Sequence, residues 1–315
     1  MPGKYPFKRA DFEKINTYSI SDRKSLVKVE GLADLAKYSK SGEIADLLPG
    51  FLKANDLKRV VGAIKTANAN GNHVVAGIGA HVIKVGLSPI LIDMMQRGIL
   101  DAIALNGAGI VHDLEIAFHG QTSEDVASEI KSGRFGMVAE TQEHFNKAIS
   151  RCDSDSGLGE AVGKYIVEQS MPYRHLSILG SGYELDKPIT VHVALGTDIV
   201  HAGPGVNGAT IGQASMNDFK MLTSIVGELE DGVYLNIGSS VVLPEVFIKA
   251  LSSARNLGFN ATGFMAVNMD MIQHYRPAVN VVHRPTLGEG KGVTLTGHHE
   301  IMIPLLYHML IGDVT

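Results

Sequence analysis

Glycine, histidine and asparagine recur together in this chain, always just after an apolar run. The stretches are Gly77-Ile-Gly-Ala-His-Val-Ile-Lys84, Asn106-Gly-Ala-Gly-Ile-Val-His-Asp113, Gly196-Thr-Asp-Ile-Val-His-Ala-Gly-Pro-Gly-Val-Asn-Gly208, Asn236-Ile-Gly-Ser-Ser240, Asn268-Met-Asp270 and Gly297-His-His-Glu300. Glycine lets a backbone turn tightly and approach a ligand, and a helix start offers free N–H groups to an anion. None is a strict G-x-G-x-x-G, and no Gly-Lys-Ser/Thr phosphate loop occurs. The set therefore points to a nucleotide-type cleft without nucleotide hydrolysis. His81, His112, His201, His283, His298 and His299 all fall at or near these junctions. Each alone is most simply a hydrogen-bonded structural residue. Together with Asp113, Asp198 and Glu300 they could supply acid/base groups or metal ligands, although no H-E-x-x-H spacing is present. Lys84 and Lys291 are the lysines nearest the junctions, and a catalytic lysine would need its pKa lowered from ~10.4. Lys291, between glycines in Gly288-Glu-Gly-Lys-Gly292, reads as a solvated turn. Asp153-Ser-Asp-Ser-Gly157 reads as a capped helix entry, not a calcium loop.

These groups need elements to position them. The first ~30 residues are polar and read as an arm packed on the body or a neighbour. Helical patterns follow over Gly31–Tyr38 and Gly42–Ala69, the second broken at Pro49-Gly50. Strands are expected at His73–Ile78, Asp101–Asn106, Ile189–Leu195, Val233–Ile237, Gly263–Val267, Val279–His283 and Val293–Leu295. Helices are expected at Leu87–Arg97, Ile110–Phe118, Asp218–Leu229, Pro244–Leu257 and Ile301–Leu310. A polar, helix-rich insertion covers about 121–169. This rhythm predicts an α/β fold: a Rossmann-like, doubly wound, mostly parallel sheet with helices on both faces. The arm and first helices span 1–56 and the sheet domain 57–315.

Bulk properties narrow the class. The chain has 315 residues, 45% hydrophobic and 19% charged, with a net charge of -5, so neither nucleic acid nor an anionic membrane is an expected partner. The single cysteine, Cys152, excludes an intrachain disulfide and fits a reducing compartment. With no leader pattern and no apolar run of membrane-spanning length, a cytoplasmic protein is expected.

Taken together, the junctions resemble the deoxyhypusine synthase family. The matching segments are Gly79–Gly86, Asp101–Asp113, Val206–Gly212, Gly232–Val242, Ala266–Asn268 and Val293–Leu306, in the family's order over about Leu57 to Leu310. The resemblance implies a Rossmann-like domain in a homotetramer, with NAD held between paired subunits. Family members oxidise spermidine with NAD and pass its aminobutyl group through an enzyme lysine to a protein lysine. The family's cofactor-contacting positions fall on His81, Lys84, Asn106, Gly107, His112, Asn207, Gly238, Ser239, Ser240, Asn268, Met269, His298 and His299.

The chain departs from that pattern in a consistent direction. His81, His112 and His298 stand where the family has an asparagine, an acidic residue and an aspartate. Gly238-Ser-Ser240 replaces a Gly-Gly-Gly run, and Pro244 replaces a substrate-contacting histidine. The family's Trp-Gly-Lys motif aligns with Val281-Val-His283, and the chain has no tryptophan. Without the nucleophilic lysine the usual imine cannot form, so deoxyhypusine is not the expected product; Lys291 could substitute only if its loop folds inward. The first reading is an NAD-using enzyme acting on a small amine or polyamine, with His283 or His298 as acid/base and Asp198 orienting a cation. A second is a metal-dependent hydrolase or lyase built on His112, Asp113, His201, His298 and His299. A third is a non-catalytic binding subunit on the same fold.

Overall fold

The structure is a computed structural model that describes residues 11–31, 48 and 51–312. The expected helix at Gly31–Tyr38, and the start of the next one before Phe51, fall almost entirely outside those residues. Helix α1 (Leu52–Asn70) places Leu57, Val60, Val61, Ile64 and Ala67 on one buried stripe. It ends at Gly71, whose φ of +75° lets its N–H reach the carbonyls of Ala67 and Asn68.

Strand β1 (Ser25–Lys28) belongs to the arm and pairs antiparallel with β4 (Gln121–Glu124). The main sheet contains β2 (Val74–Ile78), β3 (Ala102–Asn106), β5 (Ile189–His192), β6 (Val233–Ile237), β7 (Met265–Asp270) and β8 (Lys291–Thr296), in the order β5-β3-β2-β6-β7-β8. All pairings within it are parallel. Such strands are covered on both faces, which is why they read as unbroken apolar runs. Val74, Ala76 and Ile78 enter one core with α1, the short α2 (His81–Lys84), the neighbouring α3 (Ser88–Gln96) and α10 (His299–Ile311). Val75 enters the other core with α9 (Val242–Asn256). Full burial of each such valine or isoleucine contributes about 1.5–3 kcal/mol. Between β3 and β5 lie α4 (Gly107–His119), α5 (Ala139–Ile149), α6 (Leu158–Glu168) and α7 (Ile178–Glu184); α8 (Gly208–Gly227) precedes β6. Among the described residues no helix is long and apolar enough to cross a membrane.

Two expectations need correction. Val279–His283 is not a strand but part of a π-helical turn, Ala278–His283. Its valines favour extended backbone intrinsically, yet tertiary anchors override them. Val281 is buried in the second core, and Asn280 bonds to Glu245 Oε1 (2.9 Å) and to Arg284 (2.8 Å). The helix expected from Asp218 begins instead at Gly208, because the Asn207 side chain caps it by accepting from Ala209 and Thr210 N–H.

Candidate functional site

From β2 the chain proceeds outward through β3 and β5 on one side, then returns to build β6, β7 and β8 on the other. The reversal between β2 and β6 opens a crevice at the carboxyl ends of the strands, where doubly wound sheets bind ligands. A cleft of about 370 Å³ lies there, lined by His81, Lys84, Asn106, His112, Ser239 and Ser240 among others. Its floor is where Gly79, just after β2, meets Gly238, just after β6. A Cβ on Gly79 would stand 2.7 Å from the Gly238 carbonyl carbon, and Gly238 itself holds a φ of +67°. A side chain at either position would close the floor.

Beneath this contact lies His299, the third residue of the Gly297–Glu300 turn. It is 1% exposed, and neither ring nitrogen has a hydrogen-bond partner. A Cβ on Gly238 would sit 2.6 Å from its Nε2, Asp270 Oδ1 lies 3.9 Å away, and the His81 ring meets it edge-on at 6.0 Å. Burial lowers its pKa, so the ring is held neutral. A buried imidazole without partners is costly unless a ligand satisfies it. Next to it, Asn236 and Asn268 are paired across β6 and β7 by their register. Asn236 donates to Asn268 Oδ1 (2.7 Å) and to the Ser239 carbonyl (2.8 Å), fixing the turn that carries Gly238.

A second, smaller chamber of about 180 Å³ adjoins the cleft and shares Lys84, Ala108 and His112 with it. Its wall is an ion-pair network. Arg23, from the arm, donates to both oxygens of Glu115 (2.8 and 3.0 Å), and both side chains are 1% exposed. Thr141 and Thr122 hydroxyls also donate to Glu115, at 2.7 and 2.6 Å. These bonds and the Arg23 charge outweigh burial and keep the Glu115 pKa below its ordinary value. Since the Thr122 proton is given to Glu115, the Thr122 oxygen must accept from His112 Nδ1, 2.7 Å away. That relay leaves the His112 lone pair on Nε2. Burial also pushes the His112 pKa down to about 4, so the ring is neutral near pH 7.

Asp198 stands in the same chamber, 9% exposed, with its Oδ2 unpartnered. His201 lies 3.8 Å away but cannot donate to it, because His201 Nδ1 already accepts from Gly196 N–H. Gly107 makes room for this carboxylate, since a Cβ there would lie 2.6 Å from Asp198 Cγ. Burial raises the Asp198 pKa to about 6.

The expected site residues therefore divide. His81, Lys84, Asn106, His112, Gly238, Ser239 and Ser240 line the cleft; Gly107, Asn268, His299 and Asp198 sit directly behind it or in the adjoining chamber. His298 occupies the N-cap position of α10 without a side-chain capping bond, its side chain 63% exposed and 3.7 Å from Glu300. Asn207 lines neither cavity. His283 is exposed on the π turn, which packs beside the amino end of β8, at the opposite end of the sheet. Lys291 opens β8 at that same end. Among the described residues no three histidine, cysteine, aspartate or glutamate side chains gather as a metal requires. Asp113, expected as a possible ligand, instead accepts from Ser177 and from Ile178 and Leu179 N–H at the start of α7. Sequence reasoning missed Arg23, Glu115 and Thr122. The only local signal was the three-residue spacing of His112 and Glu115, which puts both on one face of α4.

No protein-family model and no curated protein matches the chain. Solved structures do. AgrE in complex with L-arginine superposes with a TM-score of 0.52 at 17% identity, over 81% of this chain and 32% of AgrE. The ternary complex of AgrE with ornithine and NAD+ gives 0.51 at 13% identity. A candidate LOR/SDH protein from Methanococcus maripaludis S2 gives 0.51 at 17%, over 86% of this chain and 72% of its own. A candidate deoxyhypusine synthase from Entamoeba histolytica gives 0.51 at 12%, over 90% of this chain and 96% of its own. This chain thus spans about a third of AgrE's length. At these identities the likeness establishes the fold: an α/β, Rossmann-like, parallel sheet flanked by helices.

Proposed function

We propose that this chain is an enzyme that holds NAD over the Gly79–Gly238 contact and acts on a small amine-bearing substrate in the adjoining chamber. The observation that carries the reading is the cradle itself. Two glycines touch at the switch point of the sheet, in a position only glycine can fill, above a buried imidazole that lacks partners. A dinucleotide fits such a floor: Gly79, Gly238, Ser239 and Ser240 would hold its phosphates, and His299 would find a hydrogen-bond partner. The complex of AgrE, which shares the fold, with ornithine and NAD+ supports a dinucleotide as the cofactor. When bound, NAD supplies a hydride acceptor for the carbon beside nitrogen.

The chain's own residues do the rest. Asp198, which lines the chamber, would set its carboxylate against a cationic nitrogen. His112 Nε2, neutral and fixed in tautomer by Thr122, receives the proton that the nitrogen gives up. Lys84 lines both cavities and keeps the boundary between them positive. Deoxyhypusine is not the product on this reading, since His283, which aligns with the resembling family's lysine, carries no amine nucleophile and lies at the opposite end of the sheet from the cleft. The same resemblance carries a homotetramer with sites between paired subunits, which light scattering would report directly.

The test is calorimetric titration of NAD into the purified chain and into Gly79→Ala. Binding by the first and its loss in the second, with unchanged circular dichroism, is the expected result. No heat at millimolar NAD would remove the cofactor from the reading.

A further inference from the structure

We propose that a depression on the outer face of α9 is a second ligand site, suited to a small phosphate monoester carried on a flat ring. It shares no lining residue with the cleft or the chamber, and so does not depend on the cofactor reading.

Helix α9 buries Leu243, Phe247, Ala250, Leu251 and Ala254 in the second core. Residues three, four and seven places beyond Glu245 therefore share its outer face, namely Ile248, Lys249 and Ser252. Tyr275 and Arg276, Asn280 of the π turn, and Arg284 just after it form the facing wall. Between them lies a depression of about 610 Å³, within the ~300–1,000 Å³ range of small-molecule sites.

Its charges do not cancel. Lys249, Arg276 and Arg284 line it against a single acid, Glu245, which leaves an excess of two positive charges. Glu245 is ionised, because the hydrogen bond from Lys249 Nζ (2.6 Å) holds its carboxyl below the ordinary pKa. Arg276 Nε lies 3.5 Å from the same carboxylate. The anchor of the group is a buried amide. Asn280 donates to Glu245 Oε1 (2.9 Å), and its carbonyl oxygen accepts from Arg284 Nη1 (2.8 Å). Arg284 N–H closes the π turn on the Val279 carbonyl (2.9 Å). Such turns are rare and occur often at functional sites. This one holds an acid and a guanidinium at one amide, while the other Arg284 guanidinium nitrogens have no partner among the described residues.

A phosphate monoester matches that excess. It carries close to two negative charges at pH 7 and three acceptor oxygens, which arginine forks recognise well. A carboxylate would leave one positive charge unmatched, and a cation would be repelled. Lys249 and Arg276 are exposed, so their pairs with Glu245 are weak and yield to a doubly charged ligand. Ser252 and Ser253 add hydroxyl donors. Tyr275 is 73% exposed in the same wall, with no ring against it among the described residues, and offers a face for a flat ring to stack on.

The test is calorimetry on the full chain at pH 7.5. Phenyl phosphate and uridine 5′-monophosphate serve as ring-bearing monoesters, inorganic phosphate as the dianion alone, and benzoate as a ring with one charge. At least one monoester should bind about tenfold or more tightly than either control. Arg276→Met and Arg284→Met should each weaken it by about tenfold. Tyr275→Ala should bring it down to the level of inorganic phosphate, and Gly79→Ala should leave it unchanged. Glu245→Gln keeps an acceptor for Asn280 and removes the one negative charge, so it should tighten binding, where a merely structural role would loosen it. Benzoate binding as tightly as the monoesters would overturn the assignment of a dianion, and inorganic phosphate doing so would overturn that of Tyr275. No heat from either monoester, or binding that survives both arginine substitutions, would overturn the site itself.

Discussion

Replacing Glu115 with glutamine should expose how strongly the arm is tied to the site. Glu115 accepts four hydrogen bonds, from two Arg23 nitrogens, Thr122 and Thr141, and it cancels a guanidinium that is 1% exposed. In Glu115→Gln one oxygen becomes an NH₂ group. That group must face an Arg23 N–H, donor against donor, and the guanidinium loses its nearest counter-charge. Breaking one member of a buried pair costs about 3–5 kcal/mol, a large share of a typical 5–15 kcal/mol stability. Urea unfolding at pH 7.5, with an unchanged m-value, should show that loss. Arg23→Met/Glu115→Met should recover most of it, because a well-packed apolar pair is often neutral or better. The pH dependence has a definite sign. The folded-state pKa of Glu115 is depressed, so its contribution is present above the unfolded value of ~4.3 and disappears as pH falls below it. The penalty of Glu115→Gln should therefore shrink toward pH 3. A penalty under about 1 kcal/mol at pH 7.5, or one that does not change with pH, would refute the pairing as described.

Other outcomes follow from the same geometry. Asp198 is the reverse case: burial raises its pKa to about 6, so the protonated form favours folding and that contribution is lost as pH rises from ~3.9 through about 6. Asp198→Asn should accordingly raise the melting temperature at pH 7.5 and leave it nearly unchanged at pH 4. Affinity for a cationic nitrogen should rise in wild type as pH increases through about 6 and stay flat in Asp198→Asn, measured by calorimetry across that range. Asp218 accepts from Gly159 N–H (3.0 Å) and Val191 N–H (2.8 Å), joining the start of α6 to the edge strand β5. Asp218→Ala strands both buried donors, at about 1–3 kcal/mol each, and hydrogen exchange should show Val191 losing protection first. Gly107→Ala should displace Asp198 and weaken amine binding without lowering NAD affinity, readable in the same titrations.

The parts of the fold legible in the sequence were those set by short-range pattern. Strands such as Val74–Ile78 and Val233–Ile237 are buried on both faces, so their apolar runs stand out, and glycines at their ends marked the cleft. Val279–His283 misled because β-branched propensity competes with packing, and the anchors of Asn280 come from distant Glu245 and from Arg284. The Arg23–Glu115 pair was invisible for a related reason: its partners are far apart in the chain, and nothing local in the arm marks Arg23 as buried. His283 reached the site list as a histidine at an expected strand end and Asn207 as part of a glycine-rich junction, and the structure puts neither beside the cleft. Asp198, singled out for a cation, lines the adjoining chamber.

The most direct test of the central claim is a crystal structure of this protein grown with NAD. The account predicts a dinucleotide lying across Gly79 and Gly238, with a new hydrogen bond to His299 and one end reaching the Lys84–His112 boundary. A dinucleotide bound elsewhere, or a cleft left empty at saturating NAD with His299 still unpartnered, would contradict it.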